Sequence, residues 1–176
     1  MSGGFYGKIP TRGDFVRAGL DGPLIDTLDA WMRGCLLETQ AALGDDWAAS
    51  WMEAPVWRCF TPIGDTLWAG IWMPSMDKVE RCFPLMILAP ADIAGPSWFA
   101  QAEAAAFDAV TADLSPDHLA LRLRAIPPDP WSPPAEGIWW TDGAPRRAAG
   151  RIAATGLPDP ARFTSFLTDR AAADPQ

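Results

Sequence analysis

The sequence predicts an α/β domain of the α+β type: an antiparallel sheet of five or six strands flanked by helices. Bulky apolar segments at about 56–61, 67–73 and 82–88 follow one another through short connections, which suits a meander and leaves no room for crossover helices. Longer segments, from Pro23 to Leu43 and from Pro96 to about Leu114, repeat their apolar residues at helical spacing. The length of 176 residues, with 49% hydrophobic and 20% charged content, fits one domain with a substantial core and not a disordered chain.

Taken in order, residues 4–9 read as a short strand ended by Pro10, and Thr11-Arg12-Gly13-Asp14 as a loop with turn chemistry. Asp21-Gly22-Pro23 opens a helix, because proline tolerates a helix start. Leu24, Leu28, Trp31, Met32, Cys35, Leu36 and Leu43 then form a stripe that runs to a stop at Gly44. A shorter helix from Asp46 to Met52 is expected, capped by Asp45 and closed by Pro55. Pro62-Ile63-Gly64-Asp65 joins the first two central strands as a hairpin, and Pro84 within the third marks it as an edge strand or a bulge. The alanines of the helix from Pro96 allow close approach to the sheet. Ser115-Pro116 starts another helix, in which Leu119, Leu121 and Leu123 cannot all share one face.

Five prolines between 127 and 134 favour extended backbone, as a stiff surface connection or as a recognition arm anchored by Trp131. Gly137 to Thr141 reads as a strand, and Arg147 to Ala154 as a further one. Asp159-Pro160 begins a terminal helix with Phe163, Phe166 and Leu167 packing inward, and residues 171–176 are expected to fray.

Net charge is −8, which argues against general binding of phosphate backbones and suits a basic protein partner. Cys35, Cys59 and Cys82 are odd in number and widely spaced, as buried reduced thiols in a cytoplasmic protein are. The start lacks a signal-peptide pattern, and no segment approaches the roughly 20 apolar residues of a membrane span. Ten tryptophans against one tyrosine imply core packing, with some indoles near a surface. The single histidine, His118, falls at a helix start, and there is neither a serine elbow, a phosphate-binding glycine motif nor zinc-ligand spacing. Nothing in this list demands an enzyme or a cofactor.

The remaining elements are expected to be arranged around Gly70 to Leu85. Trp68, Gly70 and Trp72 alternate with Leu67, Ile71 and Met73 along a strand. Pro74-Ser75 then introduces the charged segment Asp77-Lys78-Val79-Glu80-Arg81, expected at a rim of the sheet beside Lys8, Arg12, Asp14 and Arg17 of the first loop. Such a cluster is a recognition loop, or it is an internal Arg12–Asp14 or Arg–Asp77 ion pair pinning loop to sheet. Convergence of Asp14, Asp77 and Glu80 would allow acid–base or magnesium chemistry, but Arg12, Lys78 and Arg81 beside them favour ion pairs.

Met73-Pro74-Ser75, Asp77, Val79, Arg81 and Phe83-Pro84-Leu85 together resemble the signature of the TagF (ImpM) family of type VI secretion-associated proteins. Gly4-Phe5-Tyr6-Gly7-Lys8-Ile9-Pro10-Thr11-Arg12-Gly13-Asp14-Phe15-Val16 and Ala54-Pro55-Val56-Trp57-Arg58-Cys59-Phe60 fit the same family, as do Trp139-Trp140 and Leu157-Pro158-Asp159. The resemblance spans nearly the whole chain, in order. It implies a longin (SNARE-like) arrangement of sheet and helices, and a cytoplasmic, non-catalytic, post-translational repressor of type VI secretion. Such a repressor would bind the system's forkhead-associated (FHA) scaffold protein. The PP2C-type phosphatase fused to some members has no counterpart in this sequence. On that reading the partner-binding residues are Lys8, Arg12, Asp14, Phe15, Arg17, Trp57, Ser75, Asp77, Lys78 and Arg81, with Phe15 or Trp57 as the exposed aromatic. Glu80 departs from the family pattern, which has glycine there, and so removes turn freedom. The alternatives are a small-ligand sensor or hydrolytic enzyme using the Asp14/Asp77/Arg12/Arg81 cluster, or a structural subunit of the secretion apparatus.

Overall fold

A computed structural model of the chain describes residues 3–170, so the tail 171–176 lies outside the described residues. Its centre is an open antiparallel sheet with seven strands: β1 (Gly4–Gly7), β2 (Val16–Ala18), β3 (Trp57–Ile63), β4 (Thr66–Met73), β5 (Leu85–Pro90), β6 (Ile138–Thr141) and β7 (Gly150–Ala153). Their spatial order is β2-β1-β5-β4-β3-β6-β7. The meander β3–β4–β5 is present, and Ile63 pairs with Thr66 across the Gly64-Asp65 turn. The strand absent from the sequence reading is β2, whose three residues pair with Phe5, Tyr6 and Gly7.

Helices cover both faces. On one lie α1 (Gly22–Leu43), α2 (Trp47–Met52) and α5 (Thr164–Leu167); on the other lie α3 (Pro96–Thr111) and α4 (Pro116–Ala125). Strand alternation therefore sorts apolar residues into two cores. Tyr6, Trp57, Cys59, Trp72, Met86 and Leu88 face α1, while Phe5, Phe60, Ile71, Leu85 and Ile87 face α3 and α4. Burial on both faces is why β5 reads as an unbroken apolar run.

Local chemistry explains where the helices start and stop. The Asp21 side chain accepts the Leu24 amide at 2.8 Å, and Gly44 ends α1 with a positive φ of 52°. The expected Asp45 cap on the next helix is not made: a 3-10 turn over Gly44–Asp46 leads into α2, and Asp46 instead binds Arg146 and Arg170. The third helix stops at Thr111 and not near Leu114, because Asp113 turns left-handed at φ 54°. Its N-terminus at Gly95 has no side chain to cap it. Asp129, from the proline-rich connection, accepts the Ser97 amide at 2.7 Å, so that segment fastens a helix end.

Within α4, Leu119 and Leu123 are buried and Leu121 is exposed, and His118 faces solvent. The terminal segment is a 3-10 turn at Pro160–Arg162 followed by the single turn α5, with Phe163, Phe166 and Leu167 buried. The third central strand begins at Leu85, so Pro84 precedes it; β5 is an interior strand between β1 and β4, not an edge. Cys35 and Cys59 are buried, whereas Cys82 is partly exposed, and all three are free thiols. Among the described residues, no helix is long and apolar enough to cross a membrane.

Candidate functional site

Two loops meet at one end of the sheet: residues 8–15 between β1 and β2, and residues 74–84 between β4 and β5. They come together because β1 and β5 are neighbours, with Gly7 opposite Leu85. At Gly7 the backbones are so close that a Cβ would lie 2.0 Å from the Pro84 carbonyl oxygen, and φ there is 146°. Only glycine meets both conditions. The Lys8 amide then donates to the Pro84 carbonyl, and the Lys78 amide to the Arg12 carbonyl at 2.9 Å.

Asp77 is the fastener. Its Oδ1 accepts the amides of Val79 and Arg81, both at 3.0 Å, which folds residues 77–81 into a turn. Its Oδ2 accepts Lys8 Nζ at 2.8 Å and Arg81 Nε at 2.7 Å. The Asp77 side chain is fully buried and that of Lys8 only 9% exposed. Arg81 also donates through Nη2 to the Gly13 carbonyl at 2.6 Å, tying the second loop to the first. Burial alone would push the Asp77 carboxyl up, but the bonds from Lys8, from Arg81 and from the two amides outweigh it and hold it well below the usual carboxylate range.

Phe15 is fixed from several sides. It stacks on Tyr6 at 5.7 Å between ring centroids and meets Phe83 edge-on at 4.8 Å. Lys8 Nζ lies 4.9 Å and the Arg33 guanidinium 5.2 Å from its ring centre. Beneath it, the Tyr6 hydroxyl donates to Asp29, which also pairs with Arg33. Burial, reinforced by that bond to Asp29, pushes the Tyr6 phenol up, so it remains a donor. Phe15 nonetheless remains 38% exposed.

The sequence-predicted residues therefore divide. Lys8, Ser75 and Asp77 are interior: Ser75 is buried, and its carbonyl accepts Trp51 Nε1 and the Phe83 amide. Arg12, Asp14, Arg17 and Lys78 are exposed, as is most of Arg81. Asp77 is thus not presented at the rim but turned under it; of the two expected ion pairs, the Arg–Asp77 pair forms, with Arg81, and takes in Lys8, while Arg12–Asp14 is not among the ion pairs of the described residues. Trp57 lies outside this cluster. It is fully buried under α5, with its indole N–H donating to the Phe166 carbonyl at 2.9 Å, because β6 pairs along β3 and closes that side. Tyr6, Asp29, Arg33, Val79 and Phe83 complete the site. Of these, the Asp29–Arg33 spacing on a helix was readable in advance. Val79, 63% exposed, stood in the family-like signature but was given no role in the site. Glu80 adopts φ 64°, the left-handed conformation for which glycine is the easier residue.

Residues 4–126 match the family described as TagF N-terminal domain, type VI secretion system-associated. In fold the chain is similar to the crystal structure of PA0076 from Pseudomonas aeruginosa PAO1, determined at 2.05 Å resolution. That similarity has a TM-score of 0.85 at 27% sequence identity and covers 99% of this chain and 98% of the other. No protein of curated function matches the sequence. The matched region takes in both loops, the Asp77 fastener between them and the strands that bring them together. With well over half its length matched, this chain belongs to the TagF N-terminal domain family of type VI secretion system-associated proteins.

Proposed function

We propose that this protein is a non-catalytic cytoplasmic regulator of a type VI secretion system, a post-translational repressor that acts by binding the FHA scaffold protein. The supporting observation is a division of labour in the loop pair. Buried Lys8 and Asp77 set the shape, while Arg12, Asp14, Arg17 and Lys78 project into solvent around a half-exposed Phe15. A rigid backbone with charged groups around an aromatic is the composition of an interface that selects its partner by orientation. Sequestering the scaffold would keep it from docking, and assembly of the apparatus would stall. A hydrolytic role for Asp14, Asp77, Arg12 and Arg81 finds less support. Asp77 already accepts four hydrogen bonds, which leaves no lone pair directed at a substrate proton.

Calorimetric titration of the cognate FHA scaffold with wild type and with Arg12→Ala/Lys78→Ala tests this. Both substituted side chains are exposed, so the variant keeps its melting temperature; its affinity should drop about tenfold and its salt dependence should flatten. A folded wild type that does not bind the scaffold refutes the proposal. Equal binding by both proteins moves the interface away from this rim.

A further inference from the structure

The loops that meet at Asp77 also wall a small apolar socket. Pro10 comes from the first loop, Pro74 and Ser75 from the second, Trp51 and Met52 from α2, and Val110 from α3. Its volume is about 320 Å³, at the lower end of the roughly 300–1,000 Å³ typical of ligand pockets. That is room for a large side chain and too little for most cofactors. Trp51 is buried, whereas Met52 is 62% exposed and so open to an arriving group. The Ser75 hydroxyl is shut from solvent and has no hydrogen-bond partner among the described residues.

Beside the socket, Arg12 and Lys78 are exposed and form no ion pair among the described residues, whereas Lys8 and Arg81 are taken up by Asp77, and Glu53, next to Met52, by Arg146. Residues 8–17 and 77–81 hold five cations, Lys8, Arg12, Arg17, Lys78 and Arg81, against three carboxylates, Asp14, Asp77 and Glu80. They include both lysines of a chain whose net charge is −8. Arg12 follows the lining residue Pro10 by two positions and Lys78 follows the lining residue Met76 by two, a reach of at most about 7 Å, so these two cations border the socket.

We infer that socket and rim form one docking surface, and that its occupant is an acidic segment of a partner protein carrying one large apolar side chain. This rests on the binding reading above and specifies the chemistry the partner presents. The carboxylates would steer and orient the segment on Arg12 and Lys78, and the apolar side chain, desolvated between Met52, Pro74 and Val110, would hold it.

The probe is a short fluorescein-labelled peptide of glutamates around a central leucine, with two controls: leucine replaced by alanine, and glutamates replaced by glutamines. Fluorescence anisotropy should show the parent peptide binding and each control binding about tenfold or more weakly. Met52→Gln should weaken the parent peptide by a similar factor and the alanine peptide hardly at all, whereas Arg12→Ala/Lys78→Ala should weaken both. Failure of the parent peptide to bind, or equal binding of the alanine peptide, overturns the inference. Unlabelled FHA scaffold added to the bound peptide separates the two readings. Displacement supports both, and a scaffold that binds without displacing the peptide overturns the socket as its seat. A scaffold that does not bind, beside a peptide that discriminates as described, overturns the repressor reading and upholds the socket.

Discussion

Replacing Asp77 by asparagine keeps the outline of the side chain and removes its charge. The asparagine oxygen can still accept the amides of Val79 and Arg81, but its NH2 group then faces Lys8 Nζ and Arg81 Nε, where Oδ2 accepted at 2.8 and 2.7 Å. Donor meets donor. Arg81, 61% exposed, turns to water at small cost, whereas Lys8, 9% exposed, is left as an uncompensated interior charge. Breaking a buried pair in this way costs about 3–5 kcal/mol, and the Phe15 ring face beside Lys8 offsets about 0.5–1 kcal/mol of it. We therefore expect a loss of about 3 kcal/mol in urea unfolding followed by tryptophan fluorescence, which corresponds to roughly 6–12 °C in melting temperature. Adding Lys8→Met to Asp77→Asn should recover more than about 1 kcal/mol by removing the stranded ammonium. A loss below about 1 kcal/mol, or no recovery in the double variant, would refute the fastener argument.

The same group gives a pH signature. A depressed folded-state pKa contributes stability that is complete above the unfolded value, about 3.9, and is lost as pH falls from there toward the folded value. Wild type should lose stability more steeply than Asp77→Asn in acid below about pH 4–5, and parallel curves would contradict this. Glu80→Gly relieves a left-handed residue and should stabilise by up to about 1 kcal/mol in denaturant titration. Gly7→Ala drives a Cβ into the Pro84 carbonyl and should cost more than about 3 kcal/mol, or abolish folding, as judged by circular dichroism. Burial pushes the Cys35 and Cys59 thiols up, so a native-state thiol assay should label Cys82 alone at a measurable rate, with the other two appearing only in denaturant.

Much of the fold was legible because local signals agreed with tertiary demand. Asp21, Pro23 and Gly44 bracket α1, and the alternation of Trp72 and Met73 places each in its own core. Where the reading missed, a distant partner decided. Cys82 and Phe83 look like strand, but Phe83 donates back to Ser75 and the ladder starts only at Leu85. Strand β2 is three residues that exist as strand only because β1 lies beside them. At the site, clustering of the charged residues was visible from sequence, while their direction was not. Asp77 and Lys78 are adjacent, yet one is buried and the other exposed, and the choice depends on Lys8, some seventy positions earlier. Trp57 looked available because the segments that hide it, β6 and α5, come eighty or more residues later.

The tryptophans carry one more consequence. Trp31 donates to the Pro158 carbonyl at 2.7 Å and Trp57 to that of Phe166, so two indoles of the matched region act as clasps on the segment beyond it. That segment also supplies β6, which saturates the backbone of β3 at Arg58, Cys59 and Phe60. A protein cut after residue 126 would present an interior strand as a raw edge with Trp57 bare beneath it, a template for aggregation. The span matched by the family, residues 4–126, is shorter than the span that must fold together.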